Sequence, residues 1–88
     1  MNNKFWELVG YIKRSPNRTQ ALELLINFTM PSELGKKIGI SLTHASKIIR
    51  ELNSKNMISC LNKNLKVGRI YVITFKGKEI LQQTNSSK

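Results

Sequence analysis

Between residues 41 and 50 the chain reads SLTHASKIIR, and Thr43, His44, Lys47 and Arg50 bring together hydroxyl, imidazole, ammonium and guanidinium groups within two helical turns. The hydroxyl and imidazole donate or accept hydrogen bonds, whereas the two cations only donate. A duplex presents phosphates along its whole length and base edges in its major groove, so a reader of it needs this mixture of short polar and long basic side chains. Lys47 and Arg50 suit guanine O6 and N7, and Thr43 suits a thymine methyl or a phosphate. His44 suits a phosphate or a base acceptor or donor. Ser41, just ahead of them, suits phosphate, because a helix N-terminus is itself an anion site.

To act together these groups must share a face. Leu42, Ala45, Ile48, Ile49 and Leu52 recur at spacings of three, four and seven, which gathers them on one side of a helix turning about 100° per residue. Thr43, Lys47, Arg50 and Ser54 then fall opposite, with His44 and Glu51 flanking. The preceding segment, PSELGKKI, is a shorter helix with Leu34 and Ile38 on one face. Gly39 ends it, since glycine takes the left-handed conformation of a helix C-terminus at no steric cost. Ser41 caps the helix that follows. Gly35 and Ala45 are small enough for two helices to cross closely, so residues 31–56 read as a helix-turn-helix.

The chain has 88 residues, 15 of them Lys or Arg against 5 Glu and no Asp, for a formal charge of +10. That balance favours a polyanionic partner. No apolar run approaches the roughly 20 residues of a spanning helix, and MNNKFWELVG lacks the order of a signal peptide. The expectation is a cytoplasmic, nucleoid-associated protein with no membrane partner. Cys60 is the sole cysteine and His44 the sole histidine, which leaves no ligand set for a metal. Glu7, Glu23, Glu33, Glu51 and Glu79 are scattered, and neither a phosphate loop nor a nucleophile elbow appears. No enzyme activity and no cofactor are expected.

Earlier in the chain, Lys4 to Arg14 places Phe5, Leu8, Val9 and Ile12 at helical spacing with Trp6 and Tyr11 beside them. Ser15 and Pro16 open a second helix that should run to Phe28, with Ala21, Leu22, Leu25 and Ile26 on one face. Arg18 near its start opposes the helix dipole, which a bound phosphate would reverse. Arg18 and Ser32 are therefore candidate phosphate contacts. Met30 stands at the cap position before Pro31 and offers no side-chain cap.

Beyond the helix-turn-helix, MISCLN and IYVIT are short β-forming runs flanking the basic, glycine-bearing segment KNLKVGR, the pattern of a hairpin over 57–74. Lys63 and Lys66 suit electrostatic contact, and Arg69 suits phosphate or a narrow minor groove. Cys60 should face the hairpin's core as a small hydrophobe. Thr74 caps a last helix, 75–83, containing Phe75, Ile80 and Leu81. Residues 84–88, TNSSK, should form a disordered tail.

With these segments in view, the stretch PSELGKKIGIS and the later runs G-R-x-Y-x-I-T (Gly68 to Thr74) and T-x-x-G-x-x-I (Thr74 to Ile80) resemble small winged-helix transcriptional regulators of the MarR and ArsR kind, abundant in archaea. The resemblance runs from Pro31 to Ile80. Gly35 replaces the usual alanine, Asn56 the usual glycine and Met30 the usual serine or threonine. It implies a mainly α fold with a β-hairpin wing (α+β), of about five helices and a two-stranded hairpin, as a single winged helix-turn-helix domain over 1–83. It further implies sequence-specific binding of double-stranded DNA, transcriptional regulation as a repressor, and a homodimer whose terminal helices supply the interface. Phe5, Trp6, Val9, Ile80 and Leu81 are the interface candidates, with ordinary core packing as their other reading. Two rivals stay open: a winged-helix protein-interaction module in a transcription or processing assembly, and a sequence-neutral architectural or RNA-binding protein.

Overall fold

Apolar residues at helical spacing form helix α1, Asn3–Lys13, in the computed structural model, which describes residues 3–86. Helix α2, Pro16–Leu24, begins where Ser15 turns extended and its Oγ accepts from the Arg18 amide at 3.3 Å. Helices α3, Pro31–Ile38, and α4, Leu42–Ser54, form the helix-turn-helix. Strands β1, Ile58–Cys60, and β2, Tyr71–Ile73, pair antiparallel, with Ile58 opposite Ile73 and Cys60 opposite Tyr71. Helix α5, Phe75–Ser86, closes the described chain. Five helices and one two-stranded hairpin are the architecture expected from the sequence.

Three features place α4. Gly39, at φ 85°, ends α3 and turns the chain, its amide bonding the Gly35 carbonyl at 2.8 Å. Ser41 Oγ caps α4 by accepting from the His44 amide at 3.1 Å. Gly35 and Ala45, both buried, meet where the two helices cross. At the far end Asn56 takes the left-handed conformation, φ 63°, the role expected of it in place of glycine. The Met57 amide then bonds the Leu52 carbonyl at 3.0 Å and the chain enters β1.

The core is continuous. Ile12, Leu22, Leu25, Leu34, Ile49, Leu52, Met57, Ile58 and Ile80 are essentially sealed from water, and no polar or charged residue among those described is buried with them. Each such side chain contributes about 1.5–3 kcal/mol of transfer free energy. Helix α1 lies on α2 and α5, and the hairpin packs between α4 and α5. Gly77 marks the tightest of these approaches: a Cβ there would collide with the Met57 carbonyl oxygen and press on Ile73. Only glycine lets α5 lie so near the hairpin.

Three expectations need correction. Helix α2 stops at Leu24 rather than Phe28, because the following backbone is drawn to β2. Thr29 and Tyr71 exchange both amide bonds at 2.9 Å, and the Ile73 amide donates to the Leu25 carbonyl at 2.7 Å. Ile26, assigned by spacing to the core face, is consequently exposed. Helix α5 does not stop at residue 83: it continues through Ser86, with Thr84 Oγ1 donating to the Ile80 carbonyl at 2.9 Å, and no glycine or proline stands between 83 and 86 to end it. The remainder of the expected tail, 87–88, lies outside the described residues. Finally, Val9, Ile80 and Leu81, candidates for a dimer interface, are buried within the chain's own core. Trp6 remains about half exposed, with Phe5 partly buried against it edge to face at 5.0 Å.

Candidate nucleic-acid interface

Helix α4 is anchored by Ala45, Ile48, Ile49 and Leu52, all buried, so its opposite face is held outward. Thr43, His44, Lys47 and Arg50 are all exposed there, with Ser41 at the helix start. Thr43, Lys47 and Arg50, which spacing put on one face, and His44, which it put on the flank, are thus all open to solvent, as is the capping Ser41. Ser41 already uses its oxygen as the cap, which leaves its O–H proton as the group able to donate outward. Leu42 departs from expectation. Spacing assigned it to the core face, yet it is 58% exposed, because it precedes the α3–α4 crossing at Ala45 by three residues.

Arg18 lies beside this face but is not left to solvent. Its guanidinium donates to the Tyr11 carbonyl at 3.0 Å and sits 3.8 Å over the Tyr11 ring. With Ser15, His44, Lys47, Ile48 and Glu51 it lines a recess of about 100 Å³ between the start of α2 and α4. Ser32, the other candidate phosphate contact, is half-buried in the first turn of α3.

Tyr11 is the residue that reading the sequence missed. Its hydroxyl donates to Glu51 Oε1 at 2.8 Å, its ring lies under Arg18, and Lys55 Nζ approaches the ring centre at 4.8 Å. It thereby ties α1 to both α2 and the outer flank of α4. Burial, then the hydrogen bond to Glu51, push the phenol pKa above its ordinary value, against the opposing pull of Arg18. The sequence signal was slight: a phenol rather than a phenyl ring beside an apolar stripe.

The wing is a long loop, 61–70, on a short hairpin. Lys63 and Lys66 are exposed on it. Arg69, expected to reach phosphate or the minor groove, turns back instead: Nε donates to the Leu65 carbonyl at 2.6 Å and Nη2 to the Lys63 carbonyl at 3.3 Å. Asn62, not singled out from the sequence, completes the brace. Its Nδ2 donates to the Gly68 carbonyl at 3.1 Å and its Oδ1 accepts from the Ile70 amide at 2.8 Å. Cys60, buried as expected, has its thiol 3.5 Å from the same Oδ1.

Between the end of α4 and the hairpin runs a cleft of about 550 Å³, lined by Asn53, Asn56, Ser59, Lys63, Arg69 and Thr74 among others. It joins the helix surface to the wing through hydrogen-bonding groups. A second open cleft, about 520 Å³, separates α1 from the end of α4 and the start of α5, with Lys4, Arg14, Lys55 and Lys76 around Tyr11 and Glu7. Among the described residues no group of His, Cys, Asp or Glu could hold a metal ion, and no helix is long and apolar enough to cross a membrane.

These elements, in this order, make up a winged-helix fold. No model of a known protein family matches the chain, and no curated protein does. Solved structures do. A cysteine-to-serine mutant of MarR from E. coli, complexed with operator DNA, superposes with a TM-score of 0.72 at 23% identity, over 97% of this chain and 66% of that one. The transcriptional regulator Tm0710 from Thermotoga maritima gives 0.71 at 16% identity, over 94% of this chain and 66% of that one. A MarR family transcription regulator gives 0.71 at 17%, over 91% and 60%. The chain thus has the fold of MarR-type winged-helix regulators and spans about two thirds of their length.

Proposed function

We propose that the protein is a transcriptional regulator that binds double-stranded DNA sequence-specifically, seating α4 in the major groove and the wing against the backbone or minor groove. One observation carries this reading: the four groups suited to base edges and phosphates stand exposed on a helix whose inner face is buried from Ala45 to Leu52. Lys47 and Arg50 read guanine, Thr43 and His44 contact bases or phosphate, and Ser41 donates to phosphate. Lys63 and Lys66 supply charge, and Arg69 holds the loop that presents them. Arg18, braced on Tyr11, adds charge beside His44 and Lys47, and Ser32 contacts phosphate from α3. Bound at a promoter, such a protein represses by excluding the polymerase, without catalysis or cofactor, in the cytoplasm on the nucleoid. The E. coli neighbour's operator complex agrees with a duplex partner.

A homodimer suits this role, because two half-sites about one helical turn apart multiply specificity. With Val9, Ile80 and Leu81 taken up by the core, exposed Trp6 and Phe75 are the apolar surface of α1 and α5 left to form it.

The test is binding of a labelled random duplex across a salt series, followed by selection of a preferred site. A steep fall of log affinity with log salt counts phosphate contacts at roughly 0.9 per contact, and an enriched motif establishes sequence reading. Absence of binding at low salt refutes the proposal, and equal affinity for every duplex or for RNA supports a sequence-neutral binder instead.

A further inference from the structure

We propose that Leu42 is itself a base-reading residue and that the group it reads is the 5-methyl of thymine, which makes duplexes with thymine at the start of the α4 footprint the preferred ligand. The inference rests on the DNA-binding reading above and goes beyond it.

Leu42 is the exception on its helix. The other four apolar residues of α4 are at most 4% exposed, whereas Leu42 is 58% exposed between Ser41 and Thr43, themselves open to solvent. The described chain leaves more than half of it open, since the crossing with α3 falls three residues later, at Ala45. Its backbone is nonetheless rigidly placed: Ser41 caps the turn through the His44 amide, and α4 is clamped by its buried face. An exposed apolar side chain thus stands on a fixed stretch of backbone, in the first turn of the helix that carries Lys47 and Arg50.

That turn is where a recognition helix meets base edges. Of the groups displayed in the major groove, only the thymine methyl is apolar. A leucine pressed against guanine, cytosine or adenine would strip water from O6, N7, N4 or N6 and return no hydrogen bond, a penalty it does not incur against a methyl. Thr43 adds a second methyl beside it. Leu42 and Arg50 lie eight positions apart, about 12 Å of helix axis or roughly three to four base-pair steps. The thymine read by Leu42 and the guanine read by Arg50 are therefore separate positions of one half-site.

The test uses the full chain and a duplex selected by it from a random pool, resynthesised with uracil in place of each thymine in turn, which removes the methyl and leaves pairing intact. Wild-type protein is expected to lose about three- to tenfold in affinity at one or two of these positions, the worth of one buried methyl. Leu42→Ala, an exposed substitution whose fold is checked by thermal melting, should lose less than about twofold from the same uracil change, as a thermodynamic cycle requires of a direct contact. Uracil penalties that are absent, or that are equal in wild type and Leu42→Ala, overturn the assignment while leaving DNA binding intact. A selected site without thymine overturns it equally. If no duplex binds at low salt, the DNA-binding reading itself falls, and this inference with it.

Discussion

The basic face of α4 and the basic wing loop are held in opposite ways. Helix α4 owes its position to four buried side chains, so Thr43, His44, Lys47 and Arg50 need do nothing structural. In the loop 61–70 no residue is buried, and its shape rests on the side-chain bonds of Asn62 and Arg69 and on two backbone bonds, Leu61 amide to Ile70 carbonyl and Leu65 amide to Asn62 carbonyl. Bonds of this kind contribute about 0.5–1.5 kcal/mol each, whereas the α4 anchors together contribute several times that. Charge on the helix is therefore presented in fixed geometry, and charge on the loop travels with a segment able to open without global unfolding. The lesson is that two basic patches of similar composition are held differently, and on the proposed function that divides the labour: geometry-dependent reading falls to the helix, geometry-tolerant attraction to the wing.

Breaking the helix side of this contrast gives the largest effects. Leu52→Ala should cost about 2–5 kcal/mol, seen as a lowered denaturation midpoint, and would abolish binding through unfolding. Lys47→Ala and Arg50→Ala should leave the midpoint nearly unchanged while each costs about 1–3 kcal/mol of binding and relaxes preference at one base position; an unchanged motif in a repeated selection would contradict their role. On the loop side, Arg69→Ala should cost no more than about 1.5 kcal/mol and should speed amide hydrogen exchange within 62–70 while α4 stays protected. The pair Lys63→Ala and Lys66→Ala should weaken all duplexes alike and reduce the salt slope by roughly 1.8 units. A shifted motif would move those lysines into the reading class.

The smallest effect concerns Tyr11, which braces the flank of α4. Its folded pKa lies above the ordinary 10.0, so the protonated phenol is favoured in the folded state. That contribution is fully present below pH 10 and is lost as pH rises through the folded value. Wild type and Tyr11→Phe should accordingly differ in stability at neutral pH and converge in strong alkali. A difference that does not vary with pH would mean that the Glu51 bond is not what Tyr11 contributes.

Much of this molecule was legible because the relevant physics is local. The cap at Ser41, the turn at Gly39, the left-handed Asn56 and the buried stripe Ala45, Ile48, Ile49 and Leu52 each follow from side chains a few residues apart. Wherever the outcome depended on distant backbone, the reading slipped. Spacing put Ile26 on a buried face and ran α2 to Phe28, but Tyr71, more than forty residues on, claims the backbone of Thr29. Spacing likewise put Leu42 with its stripe, with no means of saying where α3 would cease to cover it.

By itself, then, the sequence determined the helix-turn-helix, the hairpin, the excess of positive charge and which face of α4 turns outward, since periodicity, capping and composition act within a few turns of chain. Tertiary structure alone decided what each outward group is free to do. Guanidinium groups seek carbonyl oxygens and aromatic faces wherever folding brings them, so Arg18 was committed to Tyr11 and Arg69 to its own loop, while Lys47 and Arg50 stayed exposed. Burial is also shared among elements, which is why Val9, Ile80 and Leu81 closed the core of one chain and left Trp6 and Phe75 facing out.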